Sequence, residues 1–243
     1  MRIAFVGKGG SGKTTLASLF CRSLAYQHMP VLAIDADINQ HLGLALGLAE
    51  SEAASIAPLG LEIDRIKTYL RGSNPRVPTN AVMVKTTPPG RGSRLLRMTE
   101  YNPIFSYFER DVDGVRLLAT GPFSQEDLGL KCYHSKVGAV ELLLNHLIDG
   151  RDEYVVVDMT AGADSFASGL FSKFDLTFLV AEPTTKSVGV YKQYTAYAQE
   201  YDIAIKVIGN KIETNEDLAF LRGQVSDNML TWVERSAYVR SME

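Results

Sequence analysis

The chain has 243 residues, of which 46% are hydrophobic and 22% charged, with a formal net charge of −3. That length supports one α/β domain with a sizeable core, and the charge balance by itself singles out no class of partner. Two cysteines exclude a disulfide framework, and no apolar run approaches the roughly 18 residues of a membrane helix. Before Gly7 stand only Arg2 and a short apolar run, too little for a signal peptide, so a cytoplasmic location is expected.

In chain order, Arg2–Val6 reads as a buried parallel strand. Gly7 to Thr15 follows as Gly-Lys-Gly-Gly-Ser-Gly-Lys-Thr-Thr, which satisfies the pattern Gly-x4-Gly-Lys-[Ser/Thr]. From Lys13 onward, Leu16, Leu19, Phe20 and Leu24 fall at helical spacing. Strand, glycine loop and helix are the context in which small residues let backbone N–H groups wrap a phosphate, helped by the positive end of the helix. Gly9, Gly10, Ser11, Gly12, Lys13, Thr14 and Thr15 are therefore expected to hold the phosphates of a nucleoside triphosphate. Lys13 would reach the β- and γ-phosphates, and the Thr14 hydroxyl would complete the shell of a Mg²⁺ ion.

Val31–Asp35 is the second predicted strand, after a break at Pro30, and it runs into Asp35-Ala-Asp37-Ile-Asn39. Carboxylates two residues apart on a strand share a side, so both are expected to face the phosphates. One can hold a metal-bound water and the other can orient the attacking water. From about residue 50 to 113 the chain is loop-rich, and Arg65 to Arg97 carries eight Lys or Arg and no Asp or Glu. This basic insertion is either a solvated segment whose cations pair with acids elsewhere or a docking surface for an acidic partner or a phosphate backbone.

Strands are predicted again at Val115–Ala119, Tyr154–Asp158, Leu176–Ala181 and Ala204–Gly209. Helices are predicted at about Lys136–Leu147, Lys186–Glu200 and Asn215–Arg222, and a last helix-like stretch begins at Ser236. Continuous apolar strands alternating with amphipathic helices imply a mostly parallel, twisted sheet with helices on both faces. Ligands in such sheets bind at the carboxyl ends of the strands. Asp158, closing a hydrophobic strand, has the character of a Walker B aspartate, and with Asp35 it is expected to hold Mg²⁺ through water. The small-residue turn at Gly162 would let a backbone N–H approach the γ-phosphate. Asn210-Lys211-Ile212-Glu213 is like the guanine motif Asn-Lys-x-Asp but ends in glutamate. The amide of Asn210 offers a donor and an acceptor suited to adenine, which favours ATP/ADP.

These motifs together resemble the MinD/ParA/nitrogenase-iron-protein class of P-loop NTPases, whose deviant phosphate motif carries an extra lysine, here Lys8. The resemblance covers nearly the whole chain. It implies an ATP-dependent homodimer in which Lys8 crosses to the partner's phosphates, with Asp37 on the hydrolytic water and Asn210 on adenine. Lys8, Lys13 and Asp37 are then the catalytic set of an ATPase acting on a client protein.

Within that class, Asn74-Pro75-x-Val77, Asp158-Met159-x-Ala161-Gly162, Glu182-Pro183-Thr184 and Asn210-Lys211 are similar to the carbon-monoxide dehydrogenase accessory ATPases, which mature a metallocentre. Those relatives carry Cys-x-Cys where this chain has Cys132-Tyr133-His134. Cys132 and His134 are either a ligand pair that a two-fold dimer would double around Zn²⁺ or Ni²⁺, or an inert thiol beside a surface histidine. The alternative function is a nucleotide-gated scaffold that binds a partner or DNA through the basic segment and turns over little; nucleic acid is the less favoured partner.

Overall fold

The computed structural model describes residues 1–122, 133–160 and 169–237. Eight strands form the central sheet: β1 (Arg2–Gly7), β2 (Val31–Ala36), β4 (Arg110–Val112), β5 (Val115–Ala119), β7 (Tyr154–Met159), β8 (Leu176–Ala181), β9 (Ile205–Ile212) and β10 (Met229–Glu234). Their order is β10-β9-β8-β1-β7-β2-β5-β4. Every neighbouring pair is parallel except β4 with β5. Two short strands, β3 (Leu96–Arg97) and β6 (Leu147–Ile148), pair separately. The helices are α1 (Lys13–Tyr26), α2 (Leu42–Ala45), α3 (Glu50–Ala54), α4 (Ile63–Arg71), α5 (Pro103–Phe108), α6 (Tyr133–His146), α7 (Thr185–Tyr201) and α8 (Asn215–Val225).

The strands are hydrophobic throughout because both faces are covered, and their side chains sort by parity. Ile3 and Phe5 join Ala17, Cys21 and Leu24 of α1 in one cluster. Ala4 and Val6 face the other way, into a cluster with α4, α5, α6, α7 and α8. The Phe5 ring packs on Phe20 and Phe178 with centroids 5.8 and 5.3 Å apart, which clamps α1 against β1 and β8. Cys21 is fully buried here, and burial, with the nearby Asp158 charge, pushes its thiol up to about 12. It is the small apolar residue that its helical position predicts.

The segment from 50 to 113 is anchored to that core. Ile66 and Leu70 of α4, Met83, Leu96, and Ile104, Phe105 and Phe108 of α5 pack in the same cluster as the sheet. Three element boundaries differ from the sequence reading. Helix α6 begins at Tyr133, so His134 lies within its first turn rather than before it. Strand β9 continues to Ile212, placing Asn210 inside the strand. Strand β10 has no counterpart in the predicted elements: it is an edge strand with Leu230, Trp232 and Val233 exposed, so it lacks the buried pattern that marks the others. Among the described residues no helix is long and apolar enough to cross a membrane. The carboxyl ends of β1, β2, β7, β8 and β9 lie along one edge of the sheet, and that edge carries the site.

Candidate functional site

Strand β1 ends at Gly7, and the loop to α1 turns tightly over the end of the sheet. A Cβ at Gly7 would meet the Val180 carbonyl at 2.5 Å and Ser11 Oγ at 2.7 Å, so only glycine fits between β1 and β8. Gly12 caps α1 at φ 89°, in the left-handed region, and no side chain caps the helix. The first N–H groups of α1 therefore lack an intrahelical or side-chain acceptor and point out of the helix end, where an anion would take them up. Gly9 and Gly10 stand exposed at the loop apex.

Behind the loop, Lys13 is buried and its Nζ lies 2.5 Å from Asp37 Oδ2. The other oxygen of Asp37 accepts from the backbone and side-chain nitrogens of Asn39 at 3.0 and 3.1 Å. Thr14 Oγ1 donates to Asp158 Oδ2 at 2.6 Å, while Asp158 Oδ1 is buried with no hydrogen-bond partner. Thr15 contributes its carbonyl to Ser18 Oγ inside the helix.

Asp35 and Asp37 do not face the same way, as strand alternation would have them. Strand β2 stops at Ala36, so Asp37 is free to turn toward Lys13. Asp35 instead accepts from the Leu42 and Asp37 backbone nitrogens at 2.8 and 3.2 Å, which folds the loop between β2 and α2 back on the strand end. Asp35 and Asp158 are register partners on β2 and β7. Burial, followed by the charge of Asp158, pushes the Asp35 carboxyl well above the usual carboxylate range. Burial also raises Asp158 to about 7, outweighing the Lys13 charge and the Thr14 hydrogen bond that pull it down.

The neighbouring strand ends brace the loop. Asn210 Nδ2 donates to the Ser11 carbonyl at 2.7 Å, and Lys211 Nζ donates to the Gly10 carbonyl at 2.6 Å. Lys8 Nζ donates to the Gly9 carbonyl at 3.1 Å. Glu182, at the end of β8, holds both lysines, with Oε1 3.0 Å from Lys211 Nζ and Oε2 3.7 Å from Lys8 Nζ. The sequence reading assigned Glu182 and Lys211 no role; both stand in quoted motifs at strand ends, and that position is the signal that could have found them.

The structure thus gathers Lys8, the loop to Thr15, Asp35, Asp37, Asp158 and Asn210 at one edge. Gly162 and Cys132 lie outside the described residues, and His134 is placed only through its helix backbone. Of the basic segment's cations, Arg65, Lys85 and Arg97 pair with Glu62, Glu141 and Glu100. Lys67, Arg71, Arg76, Arg91 and Arg94 make no ion pair among the described residues.

A parallel sheet whose first strand opens into a phosphate loop, with carboxylates at the adjacent strand ends, defines a nucleotide-binding P-loop protein. Residues 3–225 match the CobQ/CobB/MinD/ParA nucleotide-binding domain, and the chain belongs to that family. It is 29% identical over 224 residues to the carbon monoxide dehydrogenase accessory protein CooC of Rhodospirillum rubrum, covering 91% of this chain and 78% of that one. It is 32% identical over 230 residues to an uncharacterized ATP-binding protein of Methanocaldococcus jannaschii, covering 94% of this chain and 81% of the other. A ParA family ATPase from Chlorobium tepidum shares the fold, with a TM-score of 0.66 at 14% identity over 99% of this chain and 86% of that one.

The raised Asp158 gives a pH dependence of definite sign. A carboxyl whose folded value is about 7 against 3.8 in the unfolded chain disfavours the fold once ionised. The ligand-free protein should therefore lose stability from this group as pH rises between those two values, by a few kcal/mol at most. Asp158→Asn should flatten that slope and raise the urea midpoint at about pH 8 more than at about pH 5. A midpoint lowered equally at both would contradict the raised carboxyl.

Proposed function

We propose that this chain is a Mg²⁺-dependent ATPase that dimerises on ATP and acts on a client protein, with maturation of a metallocentre as the fitting task. The observation that carries the reading is the buried Lys13 beside an uncapped helix start, with the Thr14 hydroxyl on Asp158 and an orphaned Asp158 oxygen next to it. A buried carboxylate oxygen without a partner is costly unless a ligand completes it, and a hard cation suits the Thr14 and Asp158 oxygens. Mg²⁺ would be held by Thr14 and, through water, by Asp158 and Asp35. When bound, it neutralises charge on the transferring phosphate.

Each protein group then has a task. The loop N–H groups and Lys13 bind the phosphates, which compete with Asp37 for the Lys13 ammonium. Asp37, released from that pair, orients the attacking water, and Asn210 serves adenine. Lys8 lies on its own chain's Glu182 and acts on the partner's phosphates after leaving it. Glu182 keeps Lys211 when Lys8 departs, so the exchange strands no charge. Similarity to CooC and to an ATP-binding protein supports ATP and the maturation task. Zn²⁺ or Ni²⁺ at a shared Cys132/His134 site belongs to the same proposal. A second reading, a partner-binding scaffold with little turnover, is favoured by the five unpaired cations between Lys67 and Arg94.

Lys13→Ala should abolish Mg·ATP binding measured by calorimetry, since a charge-assisted phosphate contact is worth about 1.5–3 kcal/mol and phosphate charge is left unpaired. Unchanged affinity would refute the phosphate loop, and a wild-type chain that binds ATP without measurable turnover would favour the scaffold.

Lys8→Ala should leave nucleotide binding intact while ATP-dependent dimerisation and hydrolysis both fail. Glu182→Gln, which loosens the cis contact, should shift the monomer–dimer balance toward dimer in light scattering with a non-hydrolysable analogue. A Lys8→Ala chain that dimerises and turns over normally would reduce Lys8 to a loop charge.

A further inference from the structure

The strand end that braces the phosphate loop also carries the group most able to choose a base. Asn210 and Lys211 grip the Ser11 and Gly10 carbonyls, and Lys211 adopts φ 59° to do so. Residues 210–213 therefore wall the loop directly, and the part of a nucleotide beyond its phosphates would meet this wall. Glu213 lies one residue past β9, three residues after Asn210. Its backbone N–H donates to Asp217 Oδ2 at 3.0 Å, within the capping box of α8, so its place is fixed.

The Glu213 carboxylate is engaged. Arg235, one residue past β10, sets its Nε 2.8 Å from Glu213 Oε1. The Arg235 backbone N–H donates to the Ile212 carbonyl at 3.1 Å, which holds the two residues side by side at the sheet edge. Purines differ in what they ask of such a wall. A guanine edge presents two N–H donors, at N1 and at the exocyclic N2, and a free carboxylate with two acceptor oxygens answers both. An adenine edge presents one amino donor and one bare ring nitrogen, which an amide matches and a carboxylate does not.

We propose that Arg235 sets the base preference of this nucleotide site: by holding Glu213 it withholds the carboxylate from a guanine edge and leaves Asn210 to read adenine. The proposal rests on the reading of loop 7–15 as a nucleotide site and names a residue that decides which nucleotide enters. Both side chains of the pair are about half exposed, at 47% and 52%, so removing it leaves the core untouched.

The test is calorimetric affinity for Mg·ADP and for Mg·GDP in the full chain, in Arg235→Ala, and in the Arg235→Ala/Glu213→Gln double variant. The full chain is expected to prefer ADP. Arg235→Ala should shift the ADP/GDP affinity ratio toward GDP by at least about fivefold, the low end for one well-placed bidentate pair. The double variant should return it, because an amide no longer offers two acceptors. A ratio unchanged in Arg235→Ala, a shift that survives in the double variant, or a full chain that already prefers GDP would each overturn the proposal while leaving the nucleotide site standing. Failure of the full chain to bind either nucleotide would overturn the site and the proposal together.

Discussion

Everything at this site follows from placing one ammonium group under the sheet's edge. Lys13 is buried, and a buried cation must be neutralised at close range. Asp37 does so at 2.5 Å, while Asp35 and Asp158 stand at the ends of the next two strands. One lysine cannot satisfy three buried carboxylates. The surplus shows in the raised values of Asp35 and Asp158 and in the Asp158 oxygen that bonds to nothing. In the proposed reading, the ligand-free site is thus short of one positive charge, and Mg²⁺ arriving with phosphates supplies it.

The second layer is a set of clamps on the phosphate loop. Three carbonyls of the loop, those of Gly9, Gly10 and Ser11, accept from Lys8, Lys211 and Asn210. With the carbonyls turned outward to these donors, the loop N–H groups are set to face the other way. That arrangement costs little reorganisation when an anion binds. Glu182 ties two of the clamps together, so β8, β9 and the loop respond as one unit. Lys8 is the member most easily detached, since its contact to Glu182 is the longest of the set.

Much of this was legible in the sequence because buried parallel strands read as continuous apolar runs. Val115–Ala119 and Leu176–Ala181 match to the residue. The phosphate loop was legible because glycine, lysine and threonine each have one reason to be there. Edge strand β10 was not, since no residue of it is buried and no periodicity survives. Helix α4 was not, because in nine residues only Ile66 and Leu70 face the core. The parting of Asp35 from Asp37 depends on where β2 ends, a matter of one residue. Glu182 and the Arg235–Glu213 pair belong to polar networks formed between strands distant in sequence, and spacing cannot reveal those.

The central claim is that the site carries a carboxyl kept protonated by burial until a cation arrives. Calorimetry of Mg·ADP binding at about pH 6, in two buffers of different ionisation enthalpy, measures the protons released. The Asp158→Asn variant cancels the nucleotide's own contribution. The account predicts that the native chain releases close to one proton more than the variant. Equal proton release by the two would contradict it.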